Sequence, residues 1–322
     1  MVNMECSVID FPADKAVVVR SNERSWISNS SSQVRVNDVL QDCDFSQFGD
    51  AGRTAQWEGS SVLGQLWEAI LEDRVVVHYQ PQYEFKTGRI KGVEALARFQ
   101  DESGQLYYPD RFIVAAEESG MVVPLGRAVI QHAVQDLATW RADGLTMDRA
   151  AINLSAHQLD LDQNLVSFIG RSLSKAGLSW GDVEFELTER HLLETGSPGM
   201  FSLAAMIALG ARLALDDFGT GFSSISYLNT LEVHTIKLDR DMIRRMPVEK
   251  TAGVIGRHML NLAADLEMEV VAEGIETDEQ YDYLAGTSCH YAQGFKLARP
   301  MPSQALSSLL RADGCVLPRR AG

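Results

Sequence analysis

From about residue 61 onward, short apolar runs rich in β-branched and aromatic residues recur at 75–80, 92–99, 151–154, 183–187, 213–215, 235–238, 269–272 and 291–295. Helix-period segments fill most of the gaps, at 109–119, 127–141, 163–175, 199–209, 251–267 and 277–285. Strands alternating with helical patterns of this length signal βα units and a parallel sheet. Eight such runs in about 250 residues point to a (β/α)₈ barrel. The first pair breaks the rule, because only the polar stretch 84–89, with Thr87-Gly88 as its turn signal, lies between the two runs. A link that short suits a hairpin, whereas a crossover needs a dozen or more residues. The prediction is an α/β fold: a modified (β/α)₈ TIM-like barrel with an antiparallel strand near its start, preceded by a short N-terminal extension. We expect the extension over 1–60, the barrel over 61–315 and a tail over 316–322.

The 322 residues, 45% hydrophobic and 23% charged, have ordinary globular composition, which excludes disorder of the whole chain. With 29 basic and 44 acidic residues the net charge is −15, which argues against duplex nucleic acid as a partner. A small anionic ligand remains compatible if bound metal supplies positive charge. Cys6, Cys43, Cys289 and Cys315 are far apart and form no CxxC pair, so we read them as reduced thiols. The longest apolar stretch, 203–209, falls far short of the ~20 residues of a membrane span. Glu5, Asp10 and the lack of an apolar core region argue against a secretory signal, so we expect a cytoplasmic protein. Residues 21–32 hold six serines and two asparagines, flanked by weakly strand-like pieces at 15–19 and 34–39. No phosphate loop, metal-spaced cluster or heptad repeat stands out in that region, and its function is not legible.

In such a barrel, chemistry gathers where strands end and βα loops begin. The strand-end residues are Glu94 in the second run, Asn153 in the third, Glu186 in the fourth, Asp216 and Asp217 in the fifth, Lys237 in the sixth, Glu273 in the seventh and Gln293 in the eighth. Glu94, Glu186, Asp216, Asp217 and Glu273, with Asn153, would bring five carboxylates and one amide to one rim. Such a cluster is expensive unless it is paired, protonated or bound to metal. Oxygen donors without histidine suit hard divalent ions, magnesium or manganese. Asp216 and Asp217 can both face one site only if the chain turns there, and Gly219 and Gly221 offer that freedom. Two metals beside Lys237 read as metal-assisted phosphoester hydrolysis.

Taken singly, each residue has a bland reading: a strand-end Glu as a cap, Asn153 as a turn residue, Lys237 as half of a surface ion pair. Asp217-Phe218-Gly219 echoes a kinase metal motif, but no glycine loop or HRD motif precedes it. The case rests on at least six of eight strands contributing.

Taken in order, Glu94-Ala95-Leu96, Asn153, Glu186-Leu187-Thr188-Glu189, Asp216-Asp217-Phe218-Gly219, Lys237-Leu238-Asp239, Glu273-Gly274-Ile275-Glu276 and Gln293-Gly294 resemble the motif set of the EAL-domain family, which hydrolyses bacterial cyclic di-GMP. The resemblance spans roughly residues 62–312 and implies a modified barrel with an antiparallel first strand. It implies a phosphodiesterase opening cyclic di-GMP to linear pGpG with two divalent cations, Mg²⁺ or Mn²⁺. By motif position, Glu94, Asn153, Glu186 and Asp216 would hold one ion, and Asp216, Asp217 and Glu273 the second. Lys237 would orient the attacking water or stabilise phosphoryl charge, and Glu273 could assist as base. Glu276 and Gln293 would support water and metals. Gln80, Leu96 and Arg98 match substrate contacts. The loop from Asp217 would couple the site to a homodimer interface, with Glu189 anchoring it. Asp239, Gly219 and Gly221 complete the supporting set. The alternative is an inactive cyclic di-GMP receptor or interaction module, but such members typically lose a metal ligand or the lysine, and all are present here. Glu232, His234, Arg190 and Gln82 depart from the family pattern, Gln82 standing where an aliphatic residue is common. Regulatory input is expected from residues 1–60 or from a partner.

Overall fold

The computed structural model describes residues 39–40, 61–145, 147–188, 197–219, 228 and 231–312. Helix α1, Val62–Leu71, opens on Ser61, whose hydroxyl accepts from the Gly64 amide. Strands β1 (Val75–Glu84) and β2 (Ile90–Gln100) then form a hairpin, and β3 (Leu106–Tyr107) folds back on β2. After a 3₁₀ turn at Pro109–Arg111 come α2 (Ile113–Glu118) and the long α3 (Val122–Ala142). The chain continues through β4 (Arg149–Leu154), α4 (Ala156–Leu161), α5 (Leu165–Lys175), β5 (Val183–Thr188), α6 (Pro198–Ala208), β6 (Arg212–Phe218) and β7 (Thr235–Leu238). It ends with α7 (Arg240–Arg245), α8 (Lys250–Asp265), β8 (Glu269–Ala272), α9 (Asp278–Ala285), β9 (Tyr291–Ala292), β10 (Met301–Pro302) and α10 (Ser303–Arg311).

Eight of these strands close a barrel in the order β1-β2-β4-β5-β6-β7-β8-β9, with β9 returning to β1. Neighbours from β2 to β9 are parallel, whereas β1 is antiparallel to both β2 and β9. The predicted fold, antiparallel strand included, is therefore observed. The hairpin turn forms as expected: Gly88 has φ +70°, and Thr87 Oγ1 donates to Glu84 Oε2 at 2.6 Å. The run expected at 291–295 shortens to two paired residues, because Gln293 instead exchanges backbone bonds with Ala272 and Ile275. The run at 213–215 instead extends to Phe218. Helices α1, α4, α7 and α10 lie outside the predicted segments. Val39, predicted as the end of a strand-like piece, is helical, and residues 1–38 and 41–60 lie outside the described residues.

Strand alternation sends one set of side chains outward. Val183, Phe185, Leu187, Ile152, Ile236 and Leu238 are buried beneath the helices. The opposite set fills the barrel, and it is polar where such barrels ordinarily stack aliphatic layers. Buried there are Gln80, Gln82, Glu94, Arg149, Glu184, Glu186, Thr235, Lys237 and Gln293. On the outer face, Arg127 of α3 makes a bidentate pair with Asp162 at 2.7 and 2.6 Å, and its Nη1 donates to the Val39 carbonyl. Among the described residues no helix is long and apolar enough to cross a membrane.

Candidate active site

Lys237 is the centre of the upper barrel. It is 1% exposed, and its Nζ lies 2.7 Å from Glu186 Oε2, 2.7 Å from Glu273 Oε1, 3.4 Å from Asp216 Oδ2 and 3.6 Å from Glu94 Oε1. These carboxylates come from the middle of β2, the later halves of β5 and β6, and the residue after β8. Register brings them level: Asn153 is opposite Glu186, and Thr188 is opposite Asp216. Asn153 Nδ2 donates to Glu94 Oε1 at 2.9 Å, and Gln293 Nε2 donates to Glu94 Oε2 at 2.5 Å. Gln293 Nε2 also reaches Gln80 Oε1 at 3.2 Å.

The electrostatics follow from burial and imbalance. Desolvation opposes the charge on Lys237, but Asp216, Glu186, Glu273 and Glu94 outweigh it and hold the ammonium's pKa well above the ordinary lysine range. Burial pushes Glu186 well above the carboxylate range against the pull of Lys237, with Glu94, Asp216 and Glu273 adding to the rise. Glu273 is raised to about 8, chiefly by burial, with Asp216 and Glu94 adding to it against Lys237. Burial would also raise Glu94, but Lys237 and the donors Gln293 and Asn153 overcome it and hold that carboxyl low.

Asp216 and Asp217 occupy an irregular end of β6. The β6–β7 register slips between Leu215 and Phe218, and Asp217 itself takes φ +55°. The chain thus turns out of the regular strand at Asp217, ahead of Gly219, one of the glycines expected to supply that turn. Asp217 N donates to Asp216 Oδ1 at 2.8 Å, and Gly219 follows with φ +97°. Gly221 and Glu189 lie outside the described residues.

The other predicted residues are placed unevenly. Leu96 and Arg98 share the inward face of β2 with Glu94. Arg98 stacks over the Tyr108 ring at 4.9 Å, and its buried Nε has no hydrogen-bond partner. Glu276 pairs with Arg240 at 2.8 Å and stays outside the carboxylate cluster. Asp239 caps α7, accepting from the amides of Asp241 and Met242. An open cleft of about 200 Å³ rises above Glu94, Glu273 and Gln293, bordered by Gln80, Arg240, Gly274, Glu276 and Phe295. Arg240 and Phe295 were missed in the sequence, although the half-exposed Phe295, with the Arg299 guanidinium 4.4 Å over its ring, directly follows Gln293-Gly294.

Among the described residues no three His, Cys, Asp or Glu side chains close on a common point as a bound ion would demand. The carboxylates are instead drawn around the Lys237 ammonium. Three features nevertheless fit a cation: four carboxylates face one ammonium, the donors are oxygen only, and Glu186 Oε1 is buried without a hydrogen-bond partner.

Fold and site together define an α/β barrel with a carboxylate–lysine centre at the ends of its parallel strands. The chain belongs to the EAL domain family, which it matches over residues 64–300. It is 36% identical over 240 residues to the cyclic di-GMP phosphodiesterase PdeR of Escherichia coli (strain K12), an alignment covering 74% of this chain and 36% of PdeR. It is 35% identical over 248 residues to the cyclic di-GMP phosphodiesterase NbdA of Pseudomonas aeruginosa, covering 77% of this chain and 32% of NbdA. The chain thus spans about a third of the length of these curated relatives. Its fold matches the solved PaMucR phosphodiesterase in complex with c-di-GMP, with TM-score 0.70 and 32% identity over 76% of this chain and 98% of that one. It also matches the EAL enzyme Bd1971 in its cAMP- and cyclic-di-GMP-bound form, with TM-score 0.72 and 25% identity over 88% of this chain and 77% of that one.

Proposed function

We propose that this chain is a metal-dependent phosphodiesterase that hydrolyses cyclic di-GMP to linear pGpG. The observation carrying the proposal is the buried Lys237 ammonium among Glu94, Glu186, Asp216 and Glu273 at the floor of an open cleft. Kinship with cyclic di-GMP phosphodiesterases supports the choice of substrate.

Glu94, Asn153, Glu186, Asp216, Asp217 and Glu273 would hold two divalent cations, Mg²⁺ or Mn²⁺. When bound, such ions polarise a phosphodiester and acidify water. Lys237, kept protonated by its carboxylate shell, offers positive charge to phosphoryl oxygens as negative charge develops on them. Glu273, which lines the cleft beside Lys237, is placed to accept a proton from the attacking water. The water oxygen bonds to phosphorus as its proton passes to Glu273, the bond to the ribose 3′ oxygen breaks, and that oxygen takes up the proton returned by Glu273. Arg98, whose Nε lacks a partner, is suited to a phosphate oxygen or a guanine edge. Phe295, half-exposed at the cleft, offers a face on which a guanine can stack. Gln80 and Leu96 would complete the substrate contacts.

The test is chromatographic: the full chain is incubated with cyclic di-GMP and Mg²⁺ or Mn²⁺, with and without chelator. Metal-dependent pGpG is the expected result. Intact nucleotide that co-elutes with the protein would overturn hydrolysis in favour of a receptor.

A further inference from the structure

Gln82 lies on the floor of the barrel, 0% exposed. Its Nε2 donates to Gln293 Oε1 at 3.0 Å, and its Oε1 accepts from Arg149 Nε at 3.1 Å. Gln293 in turn donates to Glu94. A continuous line of hydrogen bonds therefore runs from Arg149, through two amides, to a carboxylate of the active centre. Arg149 is itself fixed: Nη1 donates to Glu269 Oε2 at 2.7 Å, and its guanidinium lies 4.1 Å over the Tyr291 ring. Tyr291 Oη donates to the other Glu269 oxygen at 2.8 Å.

The ends of this line differ in kind. A guanidinium only donates, and the Glu94 carboxylate accepts at both oxygens. An amide has one accepting end and one donating end. Arg149 therefore turns the Gln82 oxygen toward itself and the Gln82 NH₂ toward Gln293. Gln293 must then present its oxygen to Gln82 and its NH₂ to Glu94 and Gln80. Reversing either amide sets oxygen against oxygen in a buried site, where a lost partner is costly. Room for the arrangement comes from Gly92, directly opposite Gln82 in the β1–β2 register, where a Cβ would sit 2.7 Å from Gln82 Oε1.

We infer that Gln82 is a positioning residue: relaying the donor polarity of Arg149, it sets the amide orientation of Gln293 and so secures the donor that holds Glu94. It touches neither substrate nor reacting atoms. The inference rests on the proposed phosphodiesterase reading for its activity readout, so a second readout is included.

The experiment compares Gln82→Glu and Gln82→Met, each alone and with Gln293→Met, in the full chain. Gln82→Glu keeps the acceptor for Arg149 but gives Gln293 Oε1 no hydrogen, so Gln293 turns its oxygen toward Glu94. Gln82→Met removes both bonds and leaves Gln293 its contacts with Gln80 and Glu94. The expected order of turnover is wild type, then Gln82→Met, then Gln82→Glu, the last down about tenfold, more than its loss of folded protein explains. With Gln293→Met in place, Gln82→Glu should cost less than about twofold. Wild-type turnover in Gln82→Glu, or the same fold loss in both backgrounds, would overturn the inference. A wild-type chain that opens no cyclic di-GMP overturns the phosphodiesterase reading alone. Mn²⁺ titration calorimetry then decides: affinity about tenfold weaker in Gln82→Glu upholds the inference, and unchanged affinity overturns it.

Discussion

Lys237 Nζ and Glu186 Oε2 meet at 2.7 Å across the mouth of the barrel, from strands separated by β6. Neither residue reaches the surface, and among the described residues the lysine is the one cation facing four carboxylates. Removing it leaves buried negative charge without its counterion. Lys237→Met is expected to lower turnover of cyclic di-GMP at least a hundredfold. It should also destabilise the fold by about 3–5 kcal/mol, the cost of breaking one side of a buried pair. Product chromatography and urea denaturation check the two effects.

Glu94 accepts from Asn153 and Gln293 and faces Lys237. Glu94→Ala is expected to abolish detectable pGpG formation, because a proposed metal ligand and the shared acceptor of two amides disappear together. A near-wild-type rate in that variant would remove the assignment of the site.

Gly294 presses on the backbone of Ile275. A Cβ there would lie 2.2 Å from Ile275 O and 2.3 Å from Ile275 N, atoms that cannot rotate aside. Gly294→Ala should cost about 1–3 kcal/mol or more by overpacking and shift the neighbouring Gln293. Thermal melting should show the loss, together with a fall in activity larger than the loss of folded protein explains.

Arg127 and Asp162 form a bidentate pair on the outer face of the barrel, with side chains 0% and 2% exposed. Asp162→Ala leaves a buried guanidinium without its carboxylate and is expected to cost about 3–5 kcal/mol. Adding Arg127→Met should restore part of that stability, because the orphaned charge goes with it. Equilibrium denaturation of the three variants checks this ordering.

Cys289 is buried, and burial pushes its thiol up to about 12 against the ordinary 9.0. The thiolate is the reactive form, so the Cys289 peptide should resist alkylation at pH 8 in the native protein and react once denaturant is added. The folded state keeps this proton more tightly than the unfolded state. The stability contributed is therefore complete below about pH 9 and is lost as pH rises toward 12. Mass mapping of labelled peptides and alkaline melting curves measure the two consequences.

Much of this was legible in advance, because local chemistry carries it. The short polar link 84–89 with its Gly88 announced the antiparallel hairpin, and the recurring apolar runs announced the barrel. The acidic residues at strand ends named Glu94, Glu186, Asp216 and Glu273 before any contact was known. Period-two alternation also held a signal that went unused. Arg149 shares a face with Asn153, and Glu184 with Glu186, so both were bound for the barrel interior. Helices α4 and α7 escaped notice because six residues are too few to show a clear period.

The sequence by itself determined which residues line the barrel and which end of it holds the carboxylates, since both follow from strand alternation and chain direction. Only the tertiary structure decided what they do to one another. Lys237 among four carboxylates, the turn beginning at Asp217, and the line from Arg149 through Gln82 and Gln293 to Glu94 join residues up to 211 positions apart. Their distances and hydrogen-bond polarity depend on how the closed ring sets strand against strand, and no local pattern encodes that register.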